Sequence, residues 1–254
     1  MAVYRGELSL SDVLETCKNC KLAPMCLPNG LAGDQIEKIE KIVRRIPSIN
    51  TNKHIYQFGD PFDSLYIVRS GCIKEYTNTK SGDEQVFGFK YTGEIFGLDS
   101  INKDQYVSSA LPLVTSSVCK ISYSSFEQIC DDIPGLSKQV LNMIGHEITA
   151  QRDFRVSVTQ KTAEQRLAFF LSNESTRLKL LGYSEREFNL PMTRADIASY
   201  LGIAIETTSR MFSHFVQEGI IKVYRRNVTI SDFGKLQLLT EHCSTCPATI
   251  SKAS

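Results

Sequence analysis

The sequence has no tryptophan, no apolar run of about 18 residues and almost no excess of one charge. The missing apolar run argues against a transmembrane helix, and the first residues lack the apolar core of a secretory signal peptide. A net charge of +1, from 29 basic and 28 acidic residues, excludes a uniformly basic nucleic-acid coat but not a local basic patch. The 254 residues, 42% hydrophobic and 22% charged, indicate a globular protein with one large domain or two smaller ones. We expect a cytoplasmic protein with no membrane partner.

The near-neutral total hides an uneven distribution of charge. Residues 1–159 hold 17 Lys and Arg against 19 Asp and Glu, a balance of −2, whereas residues 160–254 hold 12 against 9, a balance of +3. The difference is small enough to arise by chance. It also fits a nucleic-acid-binding module attached to a neutral domain, and charge alone leaves both interpretations open.

The first half of the chain has the pattern of an antiparallel β domain. Six of the fifteen glycines fall between residues 59 and 97, and they separate short runs rich in β-branched and aromatic residues. These runs are residues 65–68, 72–76, 85–89 and 114–121. Short strands at about ten-residue spacing predict a sandwich, barrel or jelly roll.

Helical patterns begin after residue 123. Ser124 or Ser125 could cap a short helix that Pro134 bounds, and a long helix follows to about Thr159. Along this helix Ile144, Ile148, Gln151, Arg155 and Val158 recur at 4-3-4-3 spacing. That spacing is typical of a helix packed on a partner helix, with a core-facing helix as the alternative. Residues 161–181 predict another amphipathic helix, which Gly182 ends.

Residues 192–219 predict a helix-turn-helix. Thr193 with Asp196 approximates a capping box, Gly202 suits a tight turn with positive φ, and a second helix starts near Ile205. Two short helices about such a turn are the layout of DNA-binding helix-turn-helix domains. The second helix would expose residue types that contact base edges or phosphates: Glu206, Thr207, Ser209 and Arg210.

Residues 220–232 predict a two-stranded wing with Arg225 and Arg226 at its tip, where an arginine pair suits phosphate contact. The alternative to a DNA-binding helix-turn-helix at residues 192–219 is an αα-hairpin with no role in DNA binding. The polar helix face, the glycine turn and the basic wing together favour DNA binding.

Eight cysteines remain to be explained, and three of them form a C-x2-C-x5-C motif at Cys17, Cys20 and Cys26. Clustered thiols in a reducing compartment indicate metal or redox chemistry, and zinc and iron–sulfur sites both need four ligands as a rule. Spacing leaves the metal open, and it leaves the fourth ligand open among Cys72, Cys119, Cys130 and the pair Cys243 and Cys246. If they are not ligands, Cys72 and Cys130 are expected to be packing residues in the core. Cys243 and Cys246 would then be an exposed pair with no function.

Several motifs taken together resemble the FNR (fumarate and nitrate reduction regulator) branch of the CRP/FNR transcription-factor superfamily. They are the cysteine triplet followed by Cys119 in SVCKI, and the motifs GDEQ at 82–85, AEQRL at 163–167, MTRAD at 192–196 and ETTSR at 206–210. The resemblance covers about residues 14–235. It implies an oxygen-responsive regulator rather than an enzyme.

The resemblance also implies a set of functional residues. Cys17, Cys20, Cys26 and Cys119 would ligate a [4Fe–4S] cluster; with it intact the protein would form a homodimer on double-stranded, inverted-repeat TTGAT-like DNA. Oxygen would convert the cluster to [2Fe–2S] and release the DNA. Glu206, Ser209 and Arg210 match base-contacting positions, and Thr193, Arg194, Thr207, Arg225 and Arg226 complete the expected DNA surface. The expected dimer interface comprises Val140, Ile144, Ile148, Gln151, Arg155 and Val158. The expected RNA polymerase contacts are Arg69, Ser70 and Asp83.

Two features depart from the family pattern. In the dimer seam, Gln151 stands where an aspartate is typical, and Arg155 where an apolar residue is common. Loss of a like-charged acid pair should ease dimerisation, whereas two facing arginines should oppose it. Lys18 and Lys21 place positive charge beside the cysteine motif, where charge tunes a cluster.

Three rival functions remain to be weighed. A cyclic-nucleotide-binding relative would carry a glutamate and an arginine where this chain has Gly97-Leu98-Asp99 and Ser108-Ser109, so no cyclic nucleotide is expected. A structural-zinc regulator is the main alternative. An iron–sulfur enzyme is disfavoured because the four histidines are scattered and no phosphate-binding glycine loop or nucleophile elbow occurs.

The predicted class is α+β, in four segments. Residues 1–31 form a cysteine-rich segment and residues 32–123 an antiparallel β-roll (jelly-roll) sensor domain. Residues 124–159 form a short helix and a long dimerisation helix, and residues 160–254 form a C-terminal winged helix-turn-helix.

Overall fold

The structure is a computed structural model that describes residues 29–79 and 81–241, together with Cys17, Cys20, Leu22, Cys26 and Leu27. The predictions for Lys18, Lys21, Cys243 and Cys246 lie outside the described residues. The chain divides into two compact units, residues 1–75 with 89–144 and residues 76–88 with 145–254. No helix in the described part of the chain is long and apolar enough to cross a bilayer.

The first unit is built on two antiparallel sheets. Its elements are α1 (Gly33–Ile42), β1 (Val43–Ile49), β2 (Ser64–Ser70), β3 (Cys72–Asn78), β4 (Glu84–Tyr91), β5 (Ile95–Phe96), β6 (Ser109–Pro112) and β7 (Ser116–Ser122). One sheet has the order β1-β7-β2-β5 and the other the order β4-β3-β6, and the tip of the β3–β4 hairpin belongs to the second unit. This arrangement confirms the predicted β-roll.

Alternation along β2 and β7 divides the core into two layers. Leu65, Ile67 and Ile121 face a cluster shared with the helices, whereas Tyr66 and Val118 face an aromatic cluster inside the roll. All five are almost fully buried because successive side chains of a strand point to opposite faces of the sheet.

Two helices follow the sheet, α2 (Tyr123–Asp132) and α3 (Pro134–Gln160). The predicted cap at Ser124 or Ser125 is wrong, because α2 begins at Tyr123, directly after β7. Pro134 is the first residue of α3, a position where the missing amide costs nothing. Residues 134–144 of α3 lie in the first unit and the remainder in the second.

The second unit contains α4 (Ala163–Leu180), β8 (Glu187–Asn189), α5 (Arg194–Leu201), α6 (Ile205–Gln217), β9 (Ile221–Tyr224), β10 (Asn227–Ile230) and α7 (Phe233–Glu241). The helix-turn-helix is confirmed, with the predicted cap at Thr193, the turn at Gly202 and the second helix starting at Ile205. The wing has three strands, in the order β8-β10-β9, rather than the predicted two. β8 escaped prediction because three residues with one buried side chain, Phe188, are too few to reveal an alternating pattern.

Candidate functional site

The two helices of the helix-turn-helix are fixed by local hydrogen bonds. The Thr193 hydroxyl accepts from the Asp196 amide at 3.1 Å, and Asp196 Oδ2 accepts from the Thr193 amide at 2.8 Å, which forms the predicted capping box. Gly202 ends α5 with φ 63°, in the left-handed region that favours glycine. Arg166 of α4 donates to the carbonyls of Leu201 at 3.2 Å and Gly202 at 3.3 Å, which ties the turn to the rest of the unit.

The second helix, α6, has one buried and one polar face. Thr208, Phe212 and Phe215 are buried and form its inner face. Glu206, Ser209 and Arg210 are exposed, and Thr207 is half-buried and accepts from Arg210 Nη2 at 3.2 Å. The three residues at the predicted base-contacting positions, Glu206, Ser209 and Arg210, are therefore accessible on one helix.

The two predicted contacts at the start of α5 also have structural roles. The Arg194 guanidinium lies 3.3 Å from the ring centre of Phe212 and is half-buried. Desolvation lowers the pKa of Arg194 to about 10, which leaves it charged at neutral pH. The Thr193 hydroxyl donates a hydrogen bond to Asp196 Oδ2 at 2.6 Å. Both residues are held rigidly at the helix N-terminus, where phosphate contacts are favourable.

The wing tip presents the predicted arginine pair. Arg225 is exposed and has φ 55°, and its guanidinium lies 5.5 Å from the ring centre of the exposed Tyr224. Arg226 is also exposed and donates to the Pro191 carbonyl at 3.2 Å. The tip therefore presents basic and aromatic side chains to solvent.

The predicted dimer seam lies along α3 in varied surroundings. Val140 is 9% exposed and belongs to the core of the first unit, and the half-buried Ile144 packs against the same core. Ile148 is 62% exposed, and Gln151 and Arg155 are exposed. The surface offered by the single chain is thus centred on residues 148–155.

The end of α3 packs within the second unit. Phe154 stacks on Tyr200 of α5 with ring centres 4.2 Å apart, and the half-buried Val158 lies beside Gly202. The helix that carries the predicted seam is therefore in direct contact with the first helix of the helix-turn-helix.

Four cysteines line one cavity of the first unit. Cys17, Cys20, Cys26 and Cys119 share one small cavity with side chains of the sheet. The remaining lining residues are Leu22, Arg45, Ile67, Val68 and Arg69. Of the described candidates for the fourth position, Cys119 lines this cavity, whereas Cys72 is buried in β3 and Cys130 lies on α2.

The sheet and α3 hold this group of cysteines. Cys119 lies on β7, directly across from Arg45 of β1 in the antiparallel register. The Cys26 carbonyl accepts from the Asn29 amide at 3.0 Å and from Gln139 Nε2 of α3 at 3.0 Å. Leu27 is fully buried in the same core as Val140. The cysteine motif is therefore anchored to the first part of the long helix.

Burial favours the protonated thiol at Cys17, Cys26 and Cys119 when no metal is bound. Desolvation raises the pKa of Cys17, that of Cys26 to about 12 and that of Cys119 to about 11. A bound metal reverses this preference because its charge stabilises the thiolate.

The arrangement of the thiols does not choose between kinds of metal site. In the described part of the chain no group of three His, Cys, Asp or Glu is arranged to hold one metal ion. Four cysteines are the usual ligand number for both a structural zinc ion and an iron–sulfur cluster.

The three predicted RNA polymerase contacts differ from one another in exposure and position. Arg69 is half-buried at the wall of the cysteine cavity, and the exposed Ser70 shares a hydrogen bond of 2.7 Å with Ser117. Asp83 is exposed in the β3–β4 turn and accepts from the Ser81 hydroxyl at 2.8 Å.

Aromatic side chains fill the interior of the β-roll. Tyr56 and Tyr106 stack with ring centres 3.9 Å apart, and the Tyr56 hydroxyl donates to Glu75 at 3.0 Å. Ser108 and Ser109, which stand where a nucleotide-binding relative has its phosphate-binding pair, are buried, and Ser109 accepts from the Phe58 amide at 2.9 Å.

Sequence reasoning missed two residues that the structure brings to the functional regions. Arg45 was missed because its position depends on pairing with a strand about 75 residues away, on a segment with no alternating pattern. Ser199 of α5 accepts from the Val86 amide at 2.9 Å and donates to the Glu84 carbonyl at 2.7 Å. No local signal marks such a contact between distant segments.

Comparison with known proteins agrees with this architecture. Residues 165–239 match the Crp-like helix-turn-helix domain, and residues 47–132 match the cyclic nucleotide-binding domain. The chain is 37% identical over 223 residues to the fumarate and nitrate reduction regulatory protein of Vibrio cholerae, covering 88% of this chain and 89% of that protein. It is 37% identical over 216 residues to the transcriptional activator protein anr of Pseudomonas aeruginosa, covering 85% of this chain and 88% of that protein. The structure of FixK2 from Bradyrhizobium japonicum superposes with a TM-score of 0.71 at 27% identity, covering 78% of this chain and 97% of that chain. The chain therefore belongs to the CRP/FNR family of transcription regulators, in its fumarate and nitrate reduction branch.

Proposed function

We propose that this protein is an oxygen-responsive regulator of anaerobic gene expression that binds a [4Fe–4S] cluster. The observation that carries the proposal is the convergence of Cys17, Cys20, Cys26 and Cys119 on one cavity, in a chain that also has a helix-turn-helix. The four cysteines would hold the cluster as thiolates. When bound, the cluster would supply the reactivity towards oxygen, with [2Fe–2S] as the expected product.

The chain offers a physical route from the cysteines to the dimer helix. Gln139 of α3 holds the Cys26 carbonyl, and Val140 shares its core with Leu27. A rearrangement of the cysteine motif therefore changes the packing of α3, which carries the proposed dimer residues. Because cluster binding and dimerisation both favour one arrangement, each shifts the population towards it.

The dimer is what makes DNA binding tight. In each protomer Glu206, Ser209 and Arg210 would contact bases of a TTGAT-like half-site, and each good bidentate pair discriminates by about 1–3 kcal/mol. Thr193, Arg194, Thr207, Arg225 and Arg226 would fix the register through phosphates. One protomer binds weakly alone, and dimerisation supplies the effective concentration for the second half-site.

RNA polymerase is the proposed further partner, through Arg69, Ser70 and Asp83. The exposure of Ser70 and Asp83 supports this assignment. No catalytic role and no cyclic-nucleotide effector is proposed, and the cytoplasm is the proposed location. The packed Tyr56–Tyr106 pair and the serines at 108–109 favour a protein core over a nucleotide site.

Metal analysis of anaerobically reconstituted protein tests the proposal. We expect about four iron and four sulfide per chain, with visible cluster absorbance that is lost in air. Cys119→Ser should abolish the four-iron species, whereas Cys72→Ser, the matched control at a buried packing cysteine, should retain it. Zinc in place of iron, with DNA binding that ignores air, would favour a structural-zinc regulator.

A further inference from the structure

Arg45 lies at the cysteine cavity without belonging to any motif. It occupies β1 directly opposite Cys119, so the two side chains leave the sheet on the same face. It is half-buried, whereas its neighbour Arg44 is exposed. Two adjacent arginines therefore have different surroundings.

The contacts of Arg45 orient its guanidinium towards the sulfur atoms. Arg45 Nη2 lies 4.0 Å from Cys17 Sγ, within hydrogen-bonding range for sulfur. The same nitrogen lies 3.5 Å from Glu40 Oε1, at the end of α1. The carboxylate thus holds the guanidinium at the wall of the cavity between Cys17 and Cys119.

Four cysteine thiolates around an iron–sulfur cluster carry more negative charge than the cluster offsets. Burial of that charge is unfavourable unless hydrogen bonds or cations compensate it. A guanidinium is always charged and has five donors, so it can keep a carboxylate partner while it donates to sulfur. Hydrogen bonds to the sulfurs and local charge also set the reduction potential of a cluster.

We propose that Arg45 is a positioning residue for the cluster: it donates a hydrogen bond to the Cys17 sulfur and places a fixed positive charge between Cys17 and Cys119. The proposal rests on the proposed function, since it needs the four cysteines to hold a cluster. Arg45 thereby stabilises the bound cluster and raises its reduction potential, because the positive charge favours the more negative, reduced state.

The test compares Arg45→Gln, Arg45→Lys and the matched control Arg44→Gln in the full chain, after anaerobic reconstitution. One readout is the half-life of cluster absorbance under an anaerobic challenge with a ferrous-iron chelator. The other readout is the reduction potential of the cluster, which would not change if Arg45 had a purely structural role. Thermal unfolding of the cluster-free proteins checks that each variant folds.

Arg45→Gln should lose its cluster about tenfold faster than the unsubstituted protein, as loss of an outer-shell partner typically does. The reduction potential of its cluster should also fall. Arg45→Lys keeps the charge, so it should recover part of the cluster half-life and part of the potential. Arg44→Gln should match the unsubstituted protein in both measurements. Equal half-lives and potentials for Arg45→Gln and Arg44→Gln would overturn the inference and leave the proposed function intact. Failure of the unsubstituted protein to take up iron and sulfide would overturn both.

Discussion

At the scale of single residues, Arg194 and Arg225 are both basic residues of the proposed DNA surface but have different surroundings. Arg194 stacks on Phe212 and is half-buried, whereas Arg225 is exposed at the wing tip. A partly desolvated cation–π contact contributes about 0.5–2 kcal/mol. Arg194 should therefore support both folding and binding, and Arg225 binding alone.

Arg194→Gln should lower the free energy of unfolding by about 1 kcal/mol, because the stack that joins α5 to α6 is lost. Arg225→Gln, the matched control, should change it by less than about 0.5 kcal/mol. Urea unfolding of the two variants measures the difference. Equal stabilities would show that the stack contributes nothing to the fold.

Arg210 differs from Arg225 in the kind of DNA contact it should make. Arg210→Ala should cost about 1–3 kcal/mol on a TTGAT-like site and relax the preference for guanine in the half-site. Arg225→Gln should instead weaken all sequences alike and reduce the salt slope by about 1. Titrations with matched and guanine-substituted DNA distinguish them; an unchanged guanine preference in Arg210→Ala would contradict the assignment.

At the scale of elements, α5 is tied to the β3–β4 hairpin through Ser199. Ser199 bonds to both Val86 and Glu84 through its hydroxyl, and its carbonyl accepts from Gln85 Nε2 at 3.1 Å. These contacts lie within the second unit. The hairpin should therefore be ordered by the helix-turn-helix.

Ser199→Ala should release the start of β4, because two hydrogen bonds worth about 1 kcal/mol each are lost. Hydrogen exchange at the Val86 amide should accelerate. Ser213→Ala is the control, since the Ser213 hydroxyl bonds only to Ser209 of its own helix among the contacts described. Exchange at Val86 that is as slow in Ser199→Ala as in Ser213→Ala would rule out this role of Ser199.

Gln151 tests the proposed role of α3. It donates to Glu147 at 3.1 Å, one turn earlier on the exposed face. Gln151→Asp would replace that bond with like charges at i and i+4 and would place two acids opposite each other in a dimer. DNA affinity of the cluster-loaded protein should fall in gel-shift titrations, with Thr149→Asp, off the seam, as the control. Unchanged affinity in Gln151→Asp would argue against this seam.

The elements that could be predicted are those with local signals. The Thr193–Asp196 capping box and the Gly202 turn located the helix-turn-helix, because caps and turns depend on neighbouring residues. β1, β5, β6 and β8 were missed, since three of them are short and β1 carries Arg44, Arg45 and a proline at a sheet edge. Their existence depends on partners that are distant in sequence.

At the scale of the whole molecule, the cysteine site could likewise be predicted only in the part that depends on neighbouring residues. Spacing identified Cys17, Cys20 and Cys26 as one group but left the fourth ligand open, because a distant ligand depends on strand pairing. The resemblance to the family pointed to Cys119, and the folded chain places Cys119 at the same cavity. Arg45 had neither a motif nor a pattern to mark it.

The proposed regulation requires a link between the cysteine cavity and the DNA surface. Gln139 and Val140 connect the cavity to α3, and Phe154 connects α3 to Tyr200 of the helix-turn-helix within the second unit. Each contact is local, but together they lie along one continuous helix. Loss of the cluster should therefore reduce DNA occupancy through the dimer rather than through the base-contacting residues.

The most direct test is a DNA-binding titration on one anaerobically reconstituted sample, before and after exposure to air, with iron content measured at both points. The account predicts tight binding to inverted-repeat TTGAT-like DNA before air, and loss of binding in step with loss of the four-iron cluster afterwards. Equal DNA affinity before and after the cluster has been lost would contradict it.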